Sequence, residues 1–237
     1  KIQLLLAALE PAVYVPVDIS REHLLASAEA LAVRFPRLAV HAVCADYSTP
    51  LDLPLESHWG TRVAFFPGSS IGNFDPPEAR ALLGRIGAVL GPGSPLLIGV
   101  DLVKDRARLE AAYNDAQGVT AAFNRNLLVR INRELGADFD LGAFTHRAFF
   151  NPRPLPGGPG RIEMHLVSTR AQRVRIGEHA FDFGPGESIH TESSYKYDLA
   201  GFAVLARAAG FVTEQVWTDP ERLFSVHCLR VGAPPSA

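Results

Sequence analysis

Four short apolar runs, each closed by an acid or by a loop of small residues, restrict this chain more than anything else in it. Residues 13–17 (VYVPV) stop at Asp18, 38–45 (LAVHAVCA) at Asp46, and 95–100 (PLLIGV) at Asp101. Residues 63–66 (VAFF) run through Pro67 into Gly68-Ser69-Ser70-Ile71-Gly72-Asn73-Phe74. Helical patterns separate the runs. Residues 21–35 follow the capping residue Ser20, with Leu24, Leu25, Ala28, Leu31, Ala32 and Phe35 as an apolar stripe, and residues 76–90 open on Pro76-Pro77. Strands that are apolar on both faces and alternate with helices predict a parallel sheet covered on both sides. Such sheets bind ligands beyond the carboxyl ends of their strands, where these acids and this loop arrive together.

The pattern loses its rhythm after Asp101. Residues 104–113 and 118–135 read as two helices split at Asn114-Asp115, the second closed by Gly136. Residues 161–168 (RIEMHLVS) alternate with period two, residues 174–178 suggest a hairpin, and residues 152–160 are rich in proline and glycine and form a loop. A helix over 199–209 and two strands, 211–218 and 224–231, then resume the first pattern, and the last two strands are close enough to pair antiparallel. The expected organisation is a doubly wound α/β core over 1–101, an inserted α+β lobe over 102–197, and the end of the core over 198–237.

A chain of 237 residues supports one large domain with such an insertion. A net charge of −2 gives no reason to expect nucleic acid or an anionic membrane as partner, and no apolar run approaches the roughly 20 residues of a membrane span. Cys44 and Cys228 lie far apart in strand-like runs and are expected to be reduced core residues of a cytoplasmic protein, here taken as a monomer.

The loop after Phe66 lacks the spacing of a dinucleotide fingerprint, and no Gly-Lys-Ser phosphate loop occurs. The histidines show no metal-binding spacing, so no metal is expected, and His41, His165 and His227 read as structural. Gly68-x-Ser70-x-Gly72 spells the letters of a hydrolase nucleophile elbow, a minor option. Acids at strand ends suit ribose hydroxyls, and they also favour turns wherever they occur.

Several blocks, in order, resemble the histidine-specific Nα-methyltransferases of ergothioneine biosynthesis: Ala112-Tyr113-Asn114-Asp115, then 118–124 (GVTAAFN), 132–139 (NRELGADF), 161–166 (RIEMHL), 191–197 (TESSYKY) and the loop GSSIGNF. The resemblance spans Lys1 to Val231. It implies a class I methyltransferase fold, with S-adenosylmethionine as cofactor and L-histidine as the small-molecule substrate, trimethylated on its α-amino group to hercynine. By the same resemblance, Lys1, Asp18, Asp46, Tyr47 and Gly68 belong to the cofactor site. Asp18 would meet the ribose, Asp46-Tyr47 the adenine, and Gly68 the methionine part. Asn73 and Tyr113 are the expected catalytic residues, holding the amino and carboxylate ends of the substrate, while Glu192 and Ser194 would grip the imidazole.

The residue types suit these roles, since an amide and a phenol can both donate and accept, and imidazole N–H groups need acceptors. The bland alternative for Glu192 and Ser194 is a solvated loop after the Gly184-Pro185-Gly186 turn. The family's glycine-rich cofactor loop and its first, central strand have no counterpart from Lys1 onward. The expectation is that the natural protein continues upstream, or that another segment fills a lane between the strands at Tyr14–Asp18 and 63–66, because strands around an empty lane would leave main-chain groups unpaired. The alternatives are a relative acting on another amino acid, and a non-catalytic ligand-binding fragment.

Overall fold

A computed structural model describes residues 1–51, 53, 60–152, 154–155 and 157–233. The sequence between Asp46 and the strand at 63–66, a proline-marked connection over residues 48–60, falls largely outside them. Strand β5 (Ala64–Phe66) pairs parallel with β6 (Pro95–Asp101), and helix α3 (Pro76–Leu90) crosses between them. Its N-terminus is fixed by Glu78, whose carboxylate accepts the Asp75 N–H at 3.0 Å. Helix α6 (Leu199–Ala208) leads to β12 (Phe211–Thr218), which returns antiparallel as β13 (Phe224–Val231). That last strand inserts between β12 and β6 and runs antiparallel to both. Leu82, Leu83, Leu96, Ile98, Phe202, Phe211 and Leu229 form the buried core of this group, each contributing about 1.5–3 kcal/mol by leaving water.

The two earliest apolar runs form a second parallel group, with each expected strand broken in two. β1 (Val13–Tyr14) pairs with β3 (Ala39–Val40), and β2 (Val17–Asp18) pairs with β4 (Val43–Cys44). Pro16 interrupts the first run, since it has no N–H to donate, yet its carbonyl still accepts from Val43 N–H at 2.9 Å. Helix α1 (Ile2–Leu9) precedes this group, and helix α2 (Arg21–Arg34) crosses over it. The α2 helix buries only Leu24, Ala28 and Leu31 of the expected stripe, and Leu25 is exposed. Among the described residues no ladder joins β2 to β5, so the strands at Tyr14–Asp18 and Ala64–Phe66 are not neighbours.

Between β6 and α6 lies the expected α+β portion. Helices α4 (Arg106–Tyr113) and α5 (Val119–Leu135) pack on a three-stranded antiparallel sheet of β7 (Phe144–Asn151), β8 (Arg161–Ser168) and β11 (Ser188–Tyr195), with β8 central. The hairpin β9 (Gln172–Ile176) and β10 (His179–Phe183) turns at Gly177, whose φ of +57° suits glycine. Alternation in β8 directs Ile162, Met164 and Leu166 toward the helices, where Leu109 and Leu128 meet them.

One expectation fails in this description. Cys44 is exposed and Cys228 only half-buried, so neither is a core residue; both are free thiols. Cys44 ends a two-residue strand that among the described residues pairs only with β2, and its thiol lies 3.6 Å from the Ile19 carbonyl.

Candidate active site

The chain after β5 turns sharply twice. Gly68 has φ +83° and Ser69 φ +62°, and Ser70–Asn73 then form one helical turn. The Ser69 hydroxyl accepts the Asp101 N–H at 2.8 Å, stitching this loop to the end of β6. A Cβ on Gly72 would lie 2.7 Å from the Tyr195 carbonyl oxygen, so the turn rests directly on β11. Tyr195 in turn donates to Asp75 at 2.7 Å and accepts from Arg161 at 2.8 Å. These contacts bring Asn73 and Ser194, far apart in sequence, to one cavity of about 190 Å³. Its walls are Gly68, Ser69, Ser70 and Asn73 from the loop, Asp101 and Phe224 from the sheet ends, Tyr113 from α4, and Ser194 and Lys196. A larger depression of about 470 Å³ lies between α3 and α6. It offers small apolar residues and Arg80 but no converging set of acids and hydroxyls, so the smaller cavity is the candidate site.

Tyr113 closes α4, its hydroxyl 2.9 Å from the Ser194 Oγ. The Lys196 ammonium donates to both oxygens at 2.8 Å, and lies 2.8 Å from Asp101 Oδ2. Asp101 Oδ1 takes Lys104 at 2.5 Å. Glu192 stands two residues before Ser194 on the same face of β11, opposite Met164. It reaches that face because Thr191 is an extra residue in the ladder between His190 and Glu192; with period-two pairing Glu192 would point the other way. Burial pushes the Glu192 carboxyl above the usual carboxylate range, and the Lys196 charge pulls it partly back. Glu192 and Ser194 thus lie on a strand, and the solvated-loop alternative fails.

Asp18, Asp46 and Tyr47 lie at or just beyond the ends of β2 and β4 in the second parallel group. Asp18 accepts from Ser20 N–H at 2.7 Å beyond β2, and Asp46 from Ser48 N–H at 2.8 Å beyond β4. The Asp46 carboxyl is held below its ordinary range by those Ser48 hydrogen bonds. Burial raises the Tyr47 phenol, and the Asp18 and Asp46 charges raise it further. The Tyr47 ring packs edge-on against Phe66 at 5.6 Å and Phe74 at 6.3 Å, on either side of the loop. Lys1 is exposed at the start of α1. These groups fit an adenosyl ligand: carboxylates for ribose hydroxyls, a phenol for a flat base, and at Gly68 an open approach, since a Cβ there would meet nothing within 4 Å.

Sequence reasoning missed Lys196 as a site residue, and it read Asp101 only as a strand end. The available signal was the spacing Ser194-x-Lys196, which puts both side chains on one side of an extended segment. The hydrolase option finds no support. Ser69, not Ser70, takes the left-handed conformation, and among the described residues no histidine lines the cavity to act as base.

On the opposite face of the lobe's sheet, Glu163, His165 and His190 lie within 4.8 Å of one another. The two imidazoles stack at 4.7 Å and 8°, and Phe149 extends the stack at 5.2 Å. Glu163 is already bound by Arg161 at 2.8 Å and Asn151 at 3.0 Å. Parallel rings aim their in-plane lone pairs side by side, and a guanidinium on the carboxylate opposes a cation. Within the chain the three side chains are held by these ring contacts and hydrogen bonds.

Comparison with known proteins fits this geometry. The chain is 41% identical over 210 residues to the histidine N-alpha-methyltransferase of Mycolicibacterium smegmatis, covering 87% of this chain and 63% of that protein. It is 42% identical over 209 residues to the enzyme of the same name from Mycobacterium tuberculosis, with the same coverage. It is 35% identical over 172 residues to ergothioneine biosynthesis protein 1 of Neurospora crassa, covering 64% of this chain and 20% of that protein. The chain thus spans less than two thirds of the two mycobacterial relatives' length. A family model described as histidine-specific methyltransferase, SAM-dependent, matches residues 1–231. With its Rossmann-like α/β core and reversed final strand, the chain belongs to the SAM-dependent histidine-specific methyltransferase family.

Proposed function

We propose that the protein containing this chain uses S-adenosylmethionine to trimethylate the α-amino group of L-histidine, giving hercynine for ergothioneine biosynthesis. The observation that carries this reading is the convergence of Gly68, Asn73, Tyr113 and Ser194 on one cavity, with Glu192 beside Ser194 on the same strand face. When bound, the cofactor supplies an electrophilic sulfonium methyl. Asp18 would hold its ribose, Asp46 and Tyr47 its adenine, and Gly68 its methionine part, with Lys1 assigned to the same site by family likeness.

Asn73 and Tyr113 hold the amino and carboxylate ends of the substrate and turn the amine lone pair toward Gly68. Glu192 and Ser194 bind the imidazole. Fixing both partners at near-attack distance supplies much of the acceleration of a displacement. In this reading residues 1–101 and 198–237 form the cofactor core, and the lobe over 102–197 carries the amino acid. A cytoplasmic monomer acting on a small molecule, with neither nucleic acid nor membrane as partner, fits the net charge of −2. No helix among the described residues is long and apolar enough to cross a membrane.

The test is incubation of the full-length protein with cofactor and L-histidine, read by mass spectrometry. A product carrying three added methyl groups is expected. Methylation of a different amino acid with histidine untouched would overturn the substrate assignment, and cofactor binding without transfer to any amino acid would leave the ligand-binding alternative standing.

A further inference from the structure

Lys196 is the least expected member of the cavity wall. Its side chain is 1% exposed, and its ammonium has three acceptors at 2.8 Å: Tyr113 Oη, Ser194 Oγ and Asp101 Oδ2. An ammonium has three N–H groups, so none is left for a ligand. The ammonium also lies 4.9 Å from the Tyr113 ring centroid, within reach of a cation–π contact. Asp101 balances the charge, with Lys104 on its other oxygen.

The consequence falls on the two hydroxyls. Each has one proton and two lone pairs. Lys196 can only donate, so it occupies one lone pair on each oxygen. The contact between Tyr113 and Ser194 uses one proton and one further lone pair. What remains for the cavity is one proton and one lone pair, on different oxygens. Without the cation both hydroxyls could rotate and offer other combinations.

We propose that Lys196 is a positioning residue that locks Tyr113 and Ser194 into a set of one donor and one acceptor for the amino-acid substrate. This rests on the methyltransferase reading above. It also sharpens it, because a ligand with both an acceptor and a donor to present, as a neutral imidazole beside an amino-acid head group has, satisfies the set, whereas a ligand with only one of them leaves a buried group unpaired.

The test uses the full-length protein and separates the two readings. Wild-type protein is first assayed with L-histidine. If it methylates only another amino acid, the histidine assignment falls and the lysine variants are read with that substrate; if it methylates none, both readings fall. Lys196→Met is expected to raise KM for the amino acid about tenfold or more, the order of one lost charged hydrogen bond, while the cofactor Kd stays within about twofold. Added to a Tyr113→Phe/Ser194→Ala background, Lys196→Met is expected to cause no further loss in amino-acid affinity. Parallel losses for cofactor and amino acid, or losses that multiply in the triple variant, would overturn the proposal. If Lys196→Met does not fold, Lys196→Met/Asp101→Asn removes both charges of the buried pair and is measured in its place. Failure of that variant to fold would assign the lysine to the fold alone and sink the proposal.

Discussion

The hydroxyl of Thr191 donates to the main-chain carbonyl of Met164 at 3.0 Å, at the point where β11 carries one more residue than β8. That bond pins the bulge, and the bulge decides which face Glu192 joins. Thr191→Val keeps the shape and removes the donor. It is expected to lower stability by about 1 kcal/mol, and to raise KM for histidine severalfold while cofactor binding is unchanged. Urea unfolding and calorimetry with each ligand measure the two effects; a loss shared equally by both ligands would disconnect the bulge from the pocket.

In the proposed reading Glu192 carries a conflict between stability and binding. Its folded pKa is raised by burial, with Lys196 opposing. For a raised pKa the native state holds the extra proton, so its share of stability is full below the unfolded carboxylate pKa and is lost as pH rises through the folded value. The desolvated carboxylate form therefore works against the fold. Glu192→Gln is expected to raise Tm at pH 7 and yet weaken histidine binding at least tenfold, with cofactor binding within about twofold. A Tm that falls would mean the carboxylate has partners that stabilise it.

His227 should govern part of the acid response. The imidazole is buried, with Ser225 Oγ 2.9 Å from Nε2 and the Phe202 ring at 4.7 Å, and burial pushes its pKa down to about 4. A depressed pKa means stability is present above the unfolded value of 6.5 and is lost as pH falls toward about 4. Denaturant unfolding across that window should show a decline that flattens in His227→Leu. An unchanged slope in the variant would assign the decline to other groups.

Gly72→Ala tests the seat of the loop. Its new Cβ would sit 2.7 Å from a main-chain oxygen of Tyr195, which cannot swing aside as a side chain does. A cost of about 1–3 kcal/mol is expected, with a marked fall in kcat as Asn73 is displaced. Wild-type activity and Tm in this variant would show that the loop and β11 have room to part.

The parallel pairs and the helix at Pro76 were legible because their signals are local: continuous apolar runs, proline at a helix start, an acid at each strand end. The ladder of β12 and β13 was legible too, although the insertion of β13 beside β6 is a matter of tertiary pairing that no local pattern carries. Strands β7 and β11 were not read as strands. In β11 the face toward the helices carries Glu192 and Ser194, and Thr191 breaks the period, so no apolar alternation survives to be read. Tyr113, Glu192 and Ser194 were named through family likeness and not through pattern. Lys196 looks in sequence like any solvent-facing lysine; only the fold shows that three acceptors enclose it.

The bond from Tyr195 to Asp75, with Gly72 pressed against the same strand, has a mechanical consequence. The same strand that carries Glu192 and Ser194 is thereby tied, through one side-chain bond and one backbone contact, to the loop carrying Gly68 and Asn73 and to the start of α3. Redesign of the cavity for a bulkier ligand should therefore trim the side chains that face it and leave Gly72 and Tyr195, which join its two walls, untouched.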